Sequence, residues 1–275
     1  MEKSFLKWAG SKYRLLNELL PILSEFIDSK IENQTFIEPF VGSGTVFLNM
    51  TGIDNFILAD NNPNLSNLYF DIQKDYEHFI ENAKKYFIAE NNTAEAYKKL
   101  VSYYNSQEIT ATEKGYLFVY LNRHCFNGLM RFNKSGRFNT PFGHYKNPQF
   151  PEEALRVMCD KIHRSNVQFF QSDFSRVMEN IKYGDIVYCD PPYVSSFNQY
   201  GSDVFGMAEQ KKLADLAKKG AQRGAKVVIS NHYNEVTKEL YKECSEYKVV
   251  SVRRSIASKG EHRGTVEEII AIYAY

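Results

Sequence analysis

The residues Asp190-Pro191-Pro192-Tyr193 close an apolar run, "GDIVYCDPPY", at positions 184–193. Asp190 and Pro191 each precede a proline, so both are held extended. Neither proline carries a backbone N–H. The Asp190 side chain and the Pro191 carbonyl are therefore preset acceptors with no neighbouring donor to compete. Two acceptors and no donor suit an NH2 group, and Tyr193 adds a flat face for a ring to stack on. The set fits an exocyclic amine on a planar base, or an amide. A Pro-Pro turn after a strand also occurs as plain structure.

A second motif lies upstream in "FIEPFVGSGT", residues 36–45. A strand, then Gly42-Ser43-Gly44, then a helix beginning near Thr45 form a nucleoside-binding turn, because glycine lets the backbone bend sharply and approach a ligand. The third glycine of the dinucleotide fingerprint is missing, since Phe47 stands there. A plain tight turn is the bland reading. Asp60 ends the next strand, where an acid accepts hydrogen bonds from ribose hydroxyls; its bland reading is a helix cap, shared with Asn61 or Asn62. The ligand is NAD or S-adenosylmethionine. The second joins the two motifs. An aromatic amine is a poor nucleophile, but acceptors on both its N–H bonds favour a pyramidal nitrogen. A sulfonium methyl group in line then permits direct displacement through positioning and electrostatics.

Two further groups stand out. In "FLKWAGSK", residues 5–12, the single tryptophan Trp8 lies between Lys7 and Lys12. Trp8 is placed to cover a ligand, and Lys12 to neutralise a carboxylate such as that of a methionine moiety. The alternative is a hydrophobic staple with solvated lysines. From Lys114 to Pro151 there is no Asp or Glu, yet the span holds six cations: Lys114, Arg123, Arg131, Lys134, Arg137 and Lys146. Such a local field attracts phosphate although the net charge of the chain is only +1. Asn and Arg in the span are able to read base edges. Of its aromatics, Tyr116, Phe118 and Tyr120 are expected in the core.

These residues need a scaffold of alternating strands and helices, the α/β pattern. Strands are predicted over 35–40, 55–60, 167–170, 185–190 and 225–230. Helices are predicted over 11–27, kinked at Pro21, and over 210–224, with Gly224 as C-cap. "YKVVSVRRSI" and "EEIIAIYAY" read as an antiparallel hairpin joined through "ASKGEHRG". Between about 62 and 165 the alternation stops, and helices dominate, two of them over 76–104. The expected division is a catalytic domain of 1–61 and 166–275 with an inserted domain of 62–165. At 275 residues, one large core and a smaller subdomain are affordable. No apolar run approaches a membrane span, and the N-terminus is no signal peptide. The four cysteines are far apart with no Cys-x-x-Cys pair, which suits reduced thiols in a cytoplasm. No metal site is expected.

In order along the chain, "FLKWAGSKYRLL", "FIEPFVGSGTVFLN", "LAD", "YLNRHCFNGLMRFNKSGRFNTPFGHYKNP", "VYCDPPY" and "VRRSIASKG" closely resemble the Dam-type DNA adenine-N6 methyltransferases. The resemblance implies a Rossmann-like methyltransferase sheet of seven strands with an inserted, mainly helical target-recognition domain. It implies S-adenosylmethionine held near Trp8, Lys12, Gly42, Gly44, Asp60 and Asp190, with Phe174 bordering its adenine. Asp190, Pro191 and Tyr193 would hold an adenine flipped out of duplex DNA, within GATC. Lys7 would contact the first guanine, Phe126 would enter the stack, and Leu129, Arg131 and Pro141 would read the remaining bases. Arg123, Asn133 and Arg137 would touch the DNA backbone. No obligate protein partner is implied; the setting is the cytoplasm of a bacterial or phage-infected cell, at its DNA. Three positions depart from the family pattern: Ser11 replaces a frequent glycine, His144 a basic residue, and Phe126 a tyrosine that also occurs there.

Other readings compete. The acceptor would instead be cytosine N4, adenine in RNA, or a protein glutamine amide, but the acid-free insert favours DNA. C5-cytosine methylation needs a nucleophilic cysteine, typically after proline, and no Pro-Cys pair exists here. A DNA-binding module without catalysis is disfavoured by the intact motifs. A nicotinamide oxidoreductase is disfavoured by the missing third glycine.

Overall fold

The computed structural model describes residues 1–193, 205–253 and 265–275. In chain order the described helices are α1 (Leu16–Ser24), α2 (Thr45–Asn49), α3 (Pro63–Lys74), α4 (Tyr76–Lys84), α5 (Ala94–Tyr104), α6 (Ala111–His124), α7 (Glu152–Arg164), α8 (Phe174–Glu179), α9 (Met207–Gln222) and α10 (Glu235–Leu240). The strands are β1 (Thr35–Glu38), β2 (Asn55–Asp60), β3 (Asn166–Gln171), β4 (Ile186–Cys189), β5 (Lys226–His232), β6 (Glu246–Arg253) and β7 (Thr265–Tyr273). Two compact units result. One is Lys12–Val41, Asn49–Asn61 and Ser165–Tyr275; the other is Met1–Ser11, Gly42–Leu48 and Asn62–Arg164.

The first unit holds a seven-stranded sheet of order β3-β2-β1-β4-β5-β7-β6. The five strands from β3 to β5 pair in parallel, and β7 runs antiparallel to both β5 and β6. The fold is mixed α/β. Strand alternation builds the core: Ile37, Val187, Cys189, Val227, Ile229, Ala271 and Tyr273 pack with Phe174 and Met178 of α8 and with Leu213, Ala217 and Ala221 of α9. These α9 positions recur at helical spacing, so one stripe meets the sheet. Gly224, at φ +92°, follows the α9 C-cap Arg223. The strand order reverses between β1 and β4. In open α/β sheets, the crevice beyond the carboxyl ends of strands at such a reversal is where ligands bind.

The expected helix over 11–27 is shorter. A 3₁₀ turn, Lys12–Arg14, precedes α1, and Pro21 lies within α1 without ending it. Both strands of the expected C-terminal hairpin form, while "SIASKG" and the connection through 264 lie outside the described residues.

The second unit is helical. Its central helix α6 is buried from Gly115 to Asn122, including Tyr116, Phe118 and Tyr120, as expected of a helix apolar on nearly every side. A capping box starts it: the Thr110 hydroxyl accepts the Glu113 N–H, and the Glu113 carboxylate accepts the Thr110 N–H. Near its end, Asn122 is fully buried and acts as a substitute backbone. Its Oδ1 accepts the Lys7 N–H at 2.8 Å, and its Nδ2 donates to the carbonyls of Lys7 at 2.7 Å and Gly128 at 3.1 Å. A leucine there would leave these three groups without that partner, at roughly 1–3 kcal/mol for a group left unsatisfied. Asn122→Leu should therefore lower the urea midpoint by an amount equivalent to at least about 2 kcal/mol. A midpoint within error of the parent would show that the Lys7 segment is held by something else.

Candidate active site

Asp190 leaves the C-terminal end of β4, whose four residues are all buried. Lys12 reaches it from the 3₁₀ turn, with Nζ 2.6 Å from Oδ1. The Lys12 side chain is only 5% exposed against 22% for Asp190, so Lys12 is a buried cation rather than a solvated lysine. The same ammonium lies 4.7 Å from the centroid of the Tyr193 ring. Burial pushes the Asp190 carboxyl above its ordinary value; Lys12 pulls it back, Glu268 adds to the rise, and a hydrogen bond from Ser230 lowers it. Ser230 also shares a 2.7 Å hydrogen bond with the Tyr188 hydroxyl.

The prolyl turn is tied down from below. Gln210 of α9, 1% exposed, donates to the Pro192 carbonyl at 2.6 Å. Asn231 of β5 donates to Gln210 Oε1 at 3.2 Å and to the Tyr241 hydroxyl at 2.9 Å. The Pro191 carbonyl has no hydrogen-bond partner among the described residues and stays available as an acceptor. Tyr193 faces His232 with ring centroids 6.4 Å apart and planes 22° from parallel. Directly across the β5–β7 pairing from His232 is Glu268, 6% exposed, whose Oε2 has no hydrogen-bond partner among the described residues. Asp60 ends β2, and the cap of α3 is Asn62, not Asp60. Phe174 is 5% exposed and stacks on Phe40 at 5.3 Å, with Phe205 closing the trio at 5.2 Å.

No thiol of the chain is set up as a nucleophile. Burial pushes Cys125 and Cys159 up to about 12 and raises Cys189 and Cys244 as well. A thiol held protonated is a poor attacking group.

In the helical unit, the glycine turn shows why its residues must be glycine. Gly42 has φ +50°, and a Cβ there would stand 3.0 Å from Trp8 Nε1; Gly44 has φ +65°, and a Cβ would stand 3.1 Å from the Tyr69 hydroxyl. That hydroxyl donates to the Gly42 carbonyl at 3.0 Å. Ser4 donates to the Ser43 carbonyl at 2.7 Å, and Ser11, the departure from the usual glycine, shares a 3.1 Å hydrogen bond with Thr45.

The same unit carries most of the expected DNA contacts. Lys7 has its ammonium 4.2 Å from the Tyr145 ring centroid, and burial followed by the Arg123 charge lowers its pKa. Phe126 is 45% exposed beside Asn127, whose φ is +54°. The Phe126 N–H donates to the Pro141 carbonyl, and the Thr140 hydroxyl donates to the Leu129 carbonyl. Arg131 and Arg137 are exposed on a hairpin bridged at Phe132 and Phe138. Asn133 Oδ1 accepts from the N–H groups of Ser135 and Arg137 and so shapes the hairpin tip. Arg123 differs from its basic neighbours: its Nη2 donates to the Phe5 carbonyl at 2.5 Å, and burial lowers its pKa. His144 has φ +54° and packs on Phe142.

A model of the D12 class of N6 adenine-specific DNA methyltransferases matches residues 8–256. The chain belongs to that class. It is 37% identical to a DNA adenine methylase of Vibrio cholerae, covering 99% of this chain and 96% of that one. It is also 37% identical to a DNA adenine methylase of Escherichia coli, covering 98% and 95%. Among solved structures, it is similar to a precorrin 8w decarboxylase from Methanobacterium thermoautotrophicum, with a TM-score of 0.41 and 13% identity over 98% of this chain and 93% of that chain. That likeness carries no argument about activity. In the sheet unit of this adenine-specific DNA methyltransferase, Lys12, Asp190 and Tyr193 stand together at the end of β4. The structure brings together Asp190, Pro191, Tyr193 and Lys12, which the sequence reading named, and sets beside them Gln210, Asn231, His232 and Glu268, which it did not. For Asn231 and His232, the polar run "SNHY" ending an otherwise apolar strand was the available signal.

The Lys12 charge keeps Asp190 ionised at lower pH than burial alone allows. Lys12→Met removes that pull, so the Asp190 pKa rises further and protonation begins at higher pH. The acid limb of the kcat profile of the methyltransferase should move to higher pH in the variant. A limb at the parent position would mean that the ammonium does not act on Asp190.

Proposed function

We propose that the chain transfers a methyl group from S-adenosylmethionine to N6 of adenine in duplex DNA, within GATC, after the base is flipped out of the stack. The observation that carries this reading is the Lys12–Asp190 pair beside the free Pro191 carbonyl and the Tyr193 ring. Asp190 and the Pro191 carbonyl accept the two N6–H bonds of adenine. The lone pair is then displaced from conjugation toward the open face of the ring. Tyr193 offers a flat face on which a planar base can stack. An amine buried in a stacked duplex is out of reach of such a pocket, so extrusion precedes transfer.

The residues fit the cofactor. S-adenosylmethionine, when bound, supplies a methyl group on positively charged sulfur, open to direct displacement. The Gly42 and Gly44 turn, in which added Cβ atoms would crowd Trp8 and Tyr69, suits close approach of backbone to a ligand. Asp60 at the end of β2 suits the ribose hydroxyls. Lys12 favours the charged form of Asp190, and Phe174 supports the site from within its aromatic cluster. On the DNA side, Lys7, Phe126, Leu129, Arg131 and Pro141 meet the bases, and Arg137 on the loop shaped by Asn133 meets phosphate. Arg123 gives one donor, Nη2, to the Phe5 carbonyl and remains a candidate for a backbone contact through its other donors.

If Asp190 serves as an acceptor, an amide oxygen replaces it in part. Methyl transfer from labelled S-adenosylmethionine to a duplex containing one GATC should fall to near nothing in Asp190→Ala and to an intermediate rate in Asp190→Asn. Binding of the duplex should persist in both variants. Full activity in Asp190→Ala would remove the residue from the reaction.

A further inference from the structure

We propose that Asn139 is a positioning residue for sequence readout: it clamps one edge of the Arg131 guanidinium so that the other edge is presented to a guanine. The proposal rests on the reading of Arg131 as a base reader.

Arg131 and Asn139 face each other across the hairpin. The Asn139 N–H donates to the Arg131 carbonyl at 3.1 Å, and the Asn133 N–H to the Arg137 carbonyl at 2.9 Å. The Phe132–Phe138 bridge lies between these two bonds, so the register is fixed on both sides of it. The hairpin is itself anchored. Phe138 is 2% exposed and packs edge-on against Tyr104 at 6.0 Å. Asn105 accepts the Phe138 N–H at 2.8 Å and donates to the Phe138 carbonyl at 2.8 Å. The strand residue next to Asn139 is therefore bolted to the helical core, although Asn139 is exposed.

Arg131 Nε donates to Asn139 Oδ1 at 2.8 Å, and Arg131 Nη2 donates to the Asn139 carbonyl at 3.2 Å. A guanidinium has five N–H donors in one plane. The two bonds to Asn139 use the Nε–H and the Nη2–H that lies beside it. The edge formed by Nη1 and the second Nη2–H has no partner among the described residues. That edge is the parallel pair of donors that guanine O6 and N7 accept in the major groove. A long exposed arginine without a clamp must be ordered when it docks, and immobilising such a side chain weakens binding. Asn139 performs that ordering in advance. It sharpens discrimination by aiming the donors, and it does so without touching a base.

The test uses hemimethylated duplexes, so that only one strand accepts methyl, at fixed salt. Three substrates are compared: GATC, GATC with the last base pair changed, and GATC with 7-deazaguanine opposite the last cytosine, which lacks the N7 acceptor. The variants are Arg131→Ala, Asn139→Ala, Asn139→Asp and the double alanine. In Asn139→Ala, the preference in kcat/KM for GATC should narrow by roughly 3- to 10-fold, and the 7-deazaguanine penalty should shrink with it. Asn139→Asp keeps an oxygen acceptor for Nε–H and should retain the parent preference. The double variant should be no less selective than Arg131→Ala. If Arg131→Ala narrows the preference while Asn139→Ala leaves both ratios intact, the clamp is wrong. Equal slowing of all three substrates in Asn139→Ala also overturns it, because that is the mark of a folding or phosphate role. If Arg131→Ala itself leaves the ratios unchanged, the base-reader reading fails and the clamp fails with it.

Discussion

The ion pair between Lys12 and Asp190 is the constraint on which the sheet unit is arranged. A buried ammonium is costly unless an anion meets it, and a carboxylate at the end of a buried strand is costly for the same reason. Each offsets the desolvation of the other. Removing either leaves a charge with nothing opposite it, so the pair is hard to dispense with even where its net stabilisation is small. Its value is chemical: the Lys12 charge opposes the rise that burial gives the Asp190 carboxyl and fixes that carboxyl in direction.

The surroundings of the pair serve that fixed direction. The sheet places β4 in its middle, between β1 and β5, and the β5 ladder holds it through Cys189, next to Asp190. The two prolines take away competing donors, and Gln210, Asn231 and Tyr241 pin the Pro192 carbonyl through buried hydrogen bonds. Ser230 of β5 shares a hydrogen bond with the Tyr188 hydroxyl of β4, so the two neighbouring strands are joined by side chains close to Asp190. Preorganised dipoles of this kind would cost no reorganisation if charge developed at an amine held there, as the proposed reaction requires. The helical unit uses the same device in another setting. Asn122 is a buried amide in place of backbone, and Asn105 anchors a hairpin by bonding both polar groups of Phe138.

Much of this was legible in the sequence where the signal is local. The strand β2 lies at 55–60 as expected, because "NFILAD" is an apolar run bounded by polar residues. The glycines of the turn announced positive φ, which Gly42 and Gly44 have. The dipeptides before proline announced acceptors without donors. What stayed hidden is the pairing of distant residues. Lys12 and Asp190 are 178 positions apart by their numbers, and Lys12 in isolation reads equally well as a solvated lysine. Arg123 looked like its basic neighbours because charge is visible in sequence and the Phe5 carbonyl it bonds to is not. The predicted helix over 11–27 was too long at both ends: its leucine face, Leu15 to Leu23, coincides with α1, while Lys12–Arg14 form a 3₁₀ turn and the helix stops at Ser24. His232 and Glu268 come together only through the register of β5 against β7.

The central claim is that this set of acceptors acts on adenine N6 in GATC. The most direct measurement is to express the intact protein in a host without DNA methylation and to map modified bases across the host genome. N6-methyladenine at GATC on both strands, absent when Asp190 is replaced by alanine, is the expected result. Methylated cytosine, or N6-methyladenine with no preference for GATC, would contradict it.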